Sequence, residues 1–283
     1  MKLYKTRSGI VVEQTRSGEP ATFHRAPSDD WDYLVNQDDL HAFLQQEIPS
    51  SAASDDYRRW IETELLAPIG QQEVWAAGVT YLRSRDARME ESKKAGGDNF
   101  YDRVYDADRP ELFFKATAMR VVGPGDAVRI RRDSAWNVPE PELTLFITES
   151  GKIVGYTVGN DMSSRSIEGE NPLYLPQAKT YDGSAALGPC LYVPAKPIES
   201  TTQIHLLIER GGKPLFSDQI ALSQMKRKHH ELAQFLFREC SHPNGCYLMT
   251  GTGIVPPDDF TLQKGDKISI SIDGIGTLEN KVG

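Results

Sequence analysis

Two glutamates one residue apart, Glu140 and Glu142 in Asn137-Val-Pro-Glu-Pro-Glu-Leu-Thr-Leu-Phe-Ile147, carry the strongest chemical signal in the chain. Side chains two apart on a strand point to one face, so an extended backbone here presents two carboxylates side by side. Paired ionised carboxylates repel, which raises one pKa unless a cation neutralises them. A divalent ion would do so, and hard oxygen ligands suit Mg²⁺, Mn²⁺ or Ca²⁺ better than zinc. The same pattern also describes two solvated surface glutamates, and the pair alone leaves both readings open. Asp161 and Lys179 extend the set. The run Ile153 to Val158 reads as a strand ending in Gly159-Asn-Asp161, which would place a third carboxylate at a strand end. Lys179 is the single charge between Asn171 and Tyr181. Buried, it would be pushed toward proton transfer; exposed, it would be a snorkelling lysine paired with Asp182.

The elements that must position these groups are mostly strands. Short β-branched runs punctuated by Gly and Pro recur at Val74 to Gly78, Leu112 to Phe114, Leu143 to Ile147, Ile153 to Val158, Leu191 to Val193, Ile204 to Ile208 and Ile268 to Ile272. Pro139 and Pro141 remove backbone donors, which suggests a sheet edge or a strand entrance. Helical spacing marks Asp38 to Gln46, Tyr57 to Leu66, Arg83 to Lys94 and Gln224 to Phe237. The cluster Ser50 to Asp56 suits a loop with a helix N-cap, and a boundary near residue 70 divides a small N-terminal α/β domain, 1–70, from a strand-dominated domain, 71–283.

Composition bounds the rest. A chain of 283 residues, 39% hydrophobic and 25% charged, is long enough for a sizeable core and far from disordered compositions. Subtracting 40 acidic from 32 basic residues gives −8, which disfavours nucleic acid or an anionic membrane as partner. No run approaches the length needed to span a bilayer and the start lacks the apolar stretch of a signal peptide, so a soluble cytoplasmic protein is expected. Cys190, Cys240 and Cys246 form no Cys-x-x-Cys pair and are expected as buried free thiols. The basic run Lys226-Arg-Lys-His-His230 is expected on a solvated helix face, where adjacent histidines diverge too far to share a metal.

Glu140-x-Glu142, Gly155-Tyr-Thr-Val-Gly-Asn-Asp161-Met-Ser-Ser-Arg165, Ala178-Lys179, Leu187-Gly-Pro189, Thr250-Gly-Thr-Gly253, Leu262-Gln-Lys-Gly-Asp266 and Gly274 to Val282 follow one another as in the fumarylacetoacetate hydrolase superfamily, which residues 71–283 resemble. The resemblance implies a mixed β-sandwich roll, α+β and mostly β, and one Mg²⁺, or Mn²⁺ or Ca²⁺, held by Glu140, Glu142 and Asp161. It also implies a homo-oligomer, a dimer or tetramer. One departure matters. Hydrolytic members carry Gly-Leu-Asn-Tyr-x-x-His followed by Glu, whereas this chain reads Gly78-Val-Thr-Tyr81-Leu-Arg-Ser84, and none of its six histidines falls between Ala42 and Ile204. The water-activating dyad is missing. The stretches Val79 to Tyr81, Arg88 to Ser92, Pro110 to Lys115 and Ser163 to Lys179 are most similar to a branch of 2-keto-3-deoxy-D-arabinonate dehydratases, which remove water to give 2,5-dioxopentanoate, or α-ketoglutarate semialdehyde, in oxidative pentose degradation.

On that resemblance Lys179 is expected as the base for a C3 proton or as an electrostatic stabiliser, with a Schiff base as a further option. Glu111, just before an apolar strand, is expected as the acid that releases the C4 hydroxyl, or else as a turn cap. Tyr81, Arg83, Arg85 and Thr252 are expected as substrate contacts, and the arginines also read as helix-surface charges. Asn160, Ser163, Ser164 and Arg165 would order the ligands, Arg165 by pairing with a carboxylate, or else serve as ordinary turn residues. Two other functions stay open: a hydrolase or decarboxylase of acylpyruvate-like diketo acids, and a non-catalytic protein that binds metal and keto acid.

Overall fold

The computed structural model describes residues 1–16, 18–48, 52–86, 89 and 100–283. The chain opens with strands β1 (Lys2–Thr6), β2 (Gly9–Gln14) and β3 (Thr22–Arg25), then helices α1 (Trp31–Val35), α2 (Leu40–Glu47) and α3 (Asp55–Glu64). Side-chain oxygens of Asp30, Asp39 and Ser54 accept from the first backbone N–H groups of these helices, which would otherwise be unpaired. Next come β4 (Glu73–Gly78), α4 (Phe100–Asp106), β5 (Glu111–Thr117), β6 (Val121–Val122), β7 (Ala127–Val128), β8 (Asn137–Val138), β9 (Pro141–Ile147), β10 (Ile153–Asp161) and β11 (Ser163–Ser164). Helices α5 (Arg165–Glu170) and α6 (Leu175–Lys179) precede β12 (Ala185–Tyr192), β13 (Gln203–Arg210) and β14 (Lys213–Ala221). Helix α7 (His229–Leu236), β15 (Cys246–Met249), β16 (Lys267–Ile272) and β17 (Gly276–Val282) complete the chain.

Among the described residues, ten strands form one mixed sheet, ordered β3-β2-β1-β12-β10-β9-β15-β4-β5 with β6 on β12, and five form a second, β14-β13-β16-β17-β7. The α+β, predominantly β expectation holds. Strand alternation sends side chains of the large sheet into two cores. Leu143, Leu145, Ile147 and Val158 meet Ile204, Leu206, Ile268 and Ile270 between the sheets. Phe146, Leu187, Leu191 and Met249 on the other face meet Leu34, Val35, Leu40 and Leu44 of the N-terminal helices. The sheet is therefore covered on both sides around β9 and β10. Strand β1 pairs with β12, Lys2 opposite Tyr192, so residues before 70 extend the sheet that carries the later strands.

Several local expectations need adjustment. Pro141 opens β9, but β9 lies mid-sheet between β10 and β15; as the first residue, its missing N–H breaks no ladder bond. Strand β10 continues through Asp161, whose partner is Ala185. The helix expected from Gln224 begins only at His229, because Met225 bridges to Tyr81 and the basic run precedes the helix. Lys226, Lys228 and His230 of that run are exposed, as expected, but Arg227 is buried. Lys226 reaches the Tyr105 carbonyl and Asp106, and buried Arg227 donates to the carbonyls of Val104 and Asp108 and to Glu231. Cys240 is exposed, while Cys190 and Cys246 are buried. Of the helix expected from Arg83, residues 82–86 are helical; 87–88 and 90–94 lie outside the described residues.

Candidate metal centre and catalytic site

Strands β9 and β10 pair with Glu142 opposite Gly159 and Pro141 opposite Asn160, and the Asp161 N–H donates to the Glu140 carbonyl at 3.0 Å. This register brings Glu140, Glu142 and Asp161 together at one end of the hairpin. One oxygen from each lies within 4.8 Å of the others, and all three residues are buried. The surface-pair reading of the two glutamates is thereby excluded.

Burial of three carboxylates demands compensation. Three buried cations supply it. Lys179, at the C-terminal end of α6, places Nζ 2.5 Å from Glu140 Oε2 and 3.0 Å from Asp161 Oδ2. Arg165, in the first turn of α5, lies 2.8 Å from Glu140 Oε1. Lys115 lies 2.6 Å from Asp161 Oδ1. Glu142 differs: it accepts from the Gly251 N–H at 2.5 Å, and no ion pair reaches it among the described residues. Burial first, then the charges of Asp161 and Glu140, hold its carboxyl well above the usual range. An oxygen-only donor set with one under-compensated carboxylate fits a hard divalent cation. Gly251 can approach so closely because its φ is +96° and a Cβ there would stand 2.0 Å from Thr80 Oγ1.

The other expected residues have the following surroundings. Tyr81 is fully buried, its hydroxyl has no hydrogen-bond partner among the described residues, and burial, with Glu142 adding, pushes its phenol up. Thr252 is buried one residue beyond Gly251, its hydroxyl exchanging bonds with the Ile254 backbone at 3.2 Å. Arg83 pairs with Asp218 at 2.8 Å and donates to the Val255 carbonyl at 3.2 Å. Arg85 pairs with Asp86 at 2.8 Å and lies over the Tyr105 ring. Ser163 donates to Glu168 at 2.9 Å, and the Asn160 side-chain oxygen accepts from the Glu140 N–H at 3.3 Å.

Glu111 opens β5 opposite Gly78 and borders a cavity of about 700 Å³ with Arg109, Pro110, Asn171, Leu173 and Leu175. No carboxylate of the centre lines that cavity, yet two elements run from one to the other: β5 from Glu111 to Lys115, and α6 from Leu175 to Lys179. Phe113 lies between, its ring 5.8 Å from Lys179 Nζ. Lys115 is the site residue that sequence reasoning left without a role. Its signal was a lysine at the inner end of the apolar run Leu112-Phe-Phe114. Its aim comes from pairing: Val74 faces Ala116 and Trp75 faces Phe114, so Lys115 is the extra residue of a bulge.

Residues 74–283 match the family described as fumarylacetoacetate (FAA) hydrolase, C-terminal. The chain is 49% identical over 225 residues to a probable 2-keto-3-deoxyxylonate dehydratase of Haloferax volcanii, covering 79% of this chain and 76% of that one. It is 44% identical over 220 residues to the 2-dehydro-3-deoxy-D-arabinonate dehydratase of Saccharolobus solfataricus, covering 77% and 74%. Among solved structures, a 2-keto-3-deoxy-D-arabinonate dehydratase complexed with magnesium and 2,5-dioxopentanoate superposes with a TM-score of 0.83 at 35% identity, covering 100% of this chain and 98% of the other.

Proposed function

The chain belongs to the fumarylacetoacetate hydrolase family, and from that premise we propose that it is a metal-dependent hydro-lyase converting a 2-keto-3-deoxypentonate to 2,5-dioxopentanoate and water. The observation that carries the reading is a lysine, Lys179, against two carboxylates of an oxygen cage in a chain whose six histidines all lie outside residues 42–204. A nitrogen base is present where the hydrolytic dyad is not. The substrates named for the two relatives coincide chemically for the D series: forming the 2-keto-3-deoxy acid erases C2 and C3, where xylonate and arabinonate differ, and leaves only C4.

Glu140, Glu142 and Asp161 would hold Mg²⁺, which when bound supplies the electron withdrawal that acidifies C3 of a 2-keto acid. Lys179 then takes a C3 proton, and Glu111 protonates the C4 hydroxyl as it leaves as water. The unsaturated acid that results still carries its C5 alcohol. Removal of one C5–H proton and of the C5 hydroxyl proton, matched by return of one proton each to C3 and C4, gives the aldehyde through a dienol without any oxidant. The Tyr81 phenol, kept protonated by burial, is suited to donate to a substrate oxygen, and the Thr252 hydroxyl to meet its carboxylate. Arg83 and Arg85 would reach the substrate by exchanging Asp218 and Asp86 for it.

Among the described residues no helix is long and apolar enough to cross a membrane. The reading includes cytoplasmic action as a homodimer or homotetramer, which cell fractionation and sedimentation test. The deciding experiment incubates the protein and Mg²⁺ with 2-keto-3-deoxy-D-arabinonate, with and without EDTA, and with an acylpyruvate in parallel. Formation of 2,5-dioxopentanoate that EDTA stops supports the proposal. Cleavage of the acylpyruvate alone overturns it.

A further inference from the structure

Lys115, like Arg165, is a buried cation of the centre to which the reaction above gives no part. We infer that it is a positioning residue, which sets both the metal-facing carboxylate of Asp161 and the end of the helix that presents Lys179.

Lys115 has no solvent exposure. Its Nζ donates to the Met162 carbonyl at 2.9 Å and to the Lys179 carbonyl at 2.5 Å, and lies 2.6 Å from Asp161 Oδ1. Two of the ammonium's three N–H groups are spent on backbone carbonyls, and Asp161 Oδ1 is held as an ion pair. All three of these neighbours belong to the protein, so the ammonium is turned toward the ends of β10 and α6. Lys179 contrasts with it. Its partners there are Glu140 Oε2 and Asp161 Oδ2, two oxygens of the cage that a bound cation would draw upon, so its nitrogen is the one that becomes available.

The three acceptors also share a purpose. Asp161 meets Lys115 through Oδ1 and Lys179 through Oδ2, so holding Oδ1 fixes the plane of the carboxylate. The Met162 carbonyl fixes the backbone just after the ligand. The Lys179 carbonyl belongs to the last residue of α6, where a helix leaves its carbonyls without intrahelical donors. One buried ammonium therefore ties the end of β10 to the end of α6. Burying an ammonium carries a desolvation penalty of several kcal/mol, and an apolar side chain of similar volume would often serve stability as well, which argues for a directional role. The bulge in β5 supplies the aim, and the Tyr181 ring, 6.0 Å from Nζ, closes one side.

The inference rests on the proposed metal cage, and the test separates the two. Mn²⁺ affinity is measured by electron paramagnetic resonance on metal-free protein for wild type, Lys115→Met, Lys115→Arg and Asp161→Asn, with folding followed by circular dichroism. The expected result for Lys115→Met is a 10- to 100-fold weaker Kd, the range typical of groups that orient metal ligands. At saturating metal, kcat should stay at least tenfold down with KM within threefold, because Lys179 is misplaced. Lys115→Arg should recover part of the affinity but not kcat, since a planar fork cannot serve three divergent acceptors. A folded Lys115→Met with wild-type Kd and kcat overturns the inference while leaving the cage intact. Wild-type Mn²⁺ binding by Asp161→Asn overturns the cage and the inference with it. If Lys115→Met does not fold, Lys115→Gln carries the same comparison, since its amide offers no charge to Asp161.

Discussion

A methyl group on Gly78 would stand 2.1 Å from Oε2 of Glu111. The two are cross-strand partners, Gly78 closing β4 and Glu111 opening β5, and the carboxylate folds over the bare glycine. Gly78→Ala should therefore displace the proposed acid without touching the metal ligands. The expected outcome is a fall in kcat of at least tenfold with metal affinity unchanged. In a Glu111→Gln background the same change should add little, because residues acting through one group are not additive. Steady-state kinetics of the two single variants and the double variant decide it.

Burial and its acidic neighbours disfavour a charge on the Glu142 carboxylate. Glu142→Gln should stabilise the metal-free chain by about 1 kcal/mol by removing an under-compensated buried charge. It should also abolish the stabilisation that Mg²⁺ confers on wild type, about 2.7 kcal/mol at a hundredfold excess over Kd. Thermal melts with and without Mg²⁺ read both effects. A variant still stabilised by Mg²⁺ to the wild-type extent would remove Glu142 from the ligand set.

Lys179→Met should lower kcat by roughly 10²- to 10⁴-fold, the usual contribution of a positioned proton-transfer group. It should also tighten metal binding, since the ammonium at 2.5 Å from Glu140 Oε2 and 3.0 Å from Asp161 Oδ2 no longer competes for those oxygens. Loss of turnover together with tighter Mn²⁺ binding is a paired result that a folding defect would not produce.

His229 gives the clearest pH dependence of stability. Burial, with the His230 charge adding, lowers its pKa from 6.5 to about 4, and its ring sits 6.4 Å from that of Tyr156. The unfolded chain binds the proton first, so stability is complete above pH 6.5 and declines as pH falls toward 4. For this partly buried ring the loss is of order 2 kcal/mol. His229→Gln should flatten the slope of urea-unfolding free energy across that window. An unchanged slope would assign the acid sensitivity elsewhere.

The carboxylate set was legible in the chain because strand geometry is local: Glu140 and Glu142 two apart must share a face, and Asp161 at the end of the next strand must return to them. Residue types also carried the chemistry, oxygen donors without cysteine or histidine and a lone lysine in an apolar stretch. Registers and long-range approaches were not legible. Pro141 hinted at an edge or a strand entrance; it is the entrance of β9, and only tertiary pairing put that strand mid-sheet. Arg227 looked like part of a solvated helix face, yet it is buried against α4, which exposed Lys226 also reaches from across the sequence. Lys115 read as the end of a strand, and only the extra residue of the β4–β5 pairing turned it onto Asp161 and the carbonyl of Lys179. Spacing along a chain determines which side chains share a face. Which faces meet depends on sheet order and burial, and those are decided by the whole core at once.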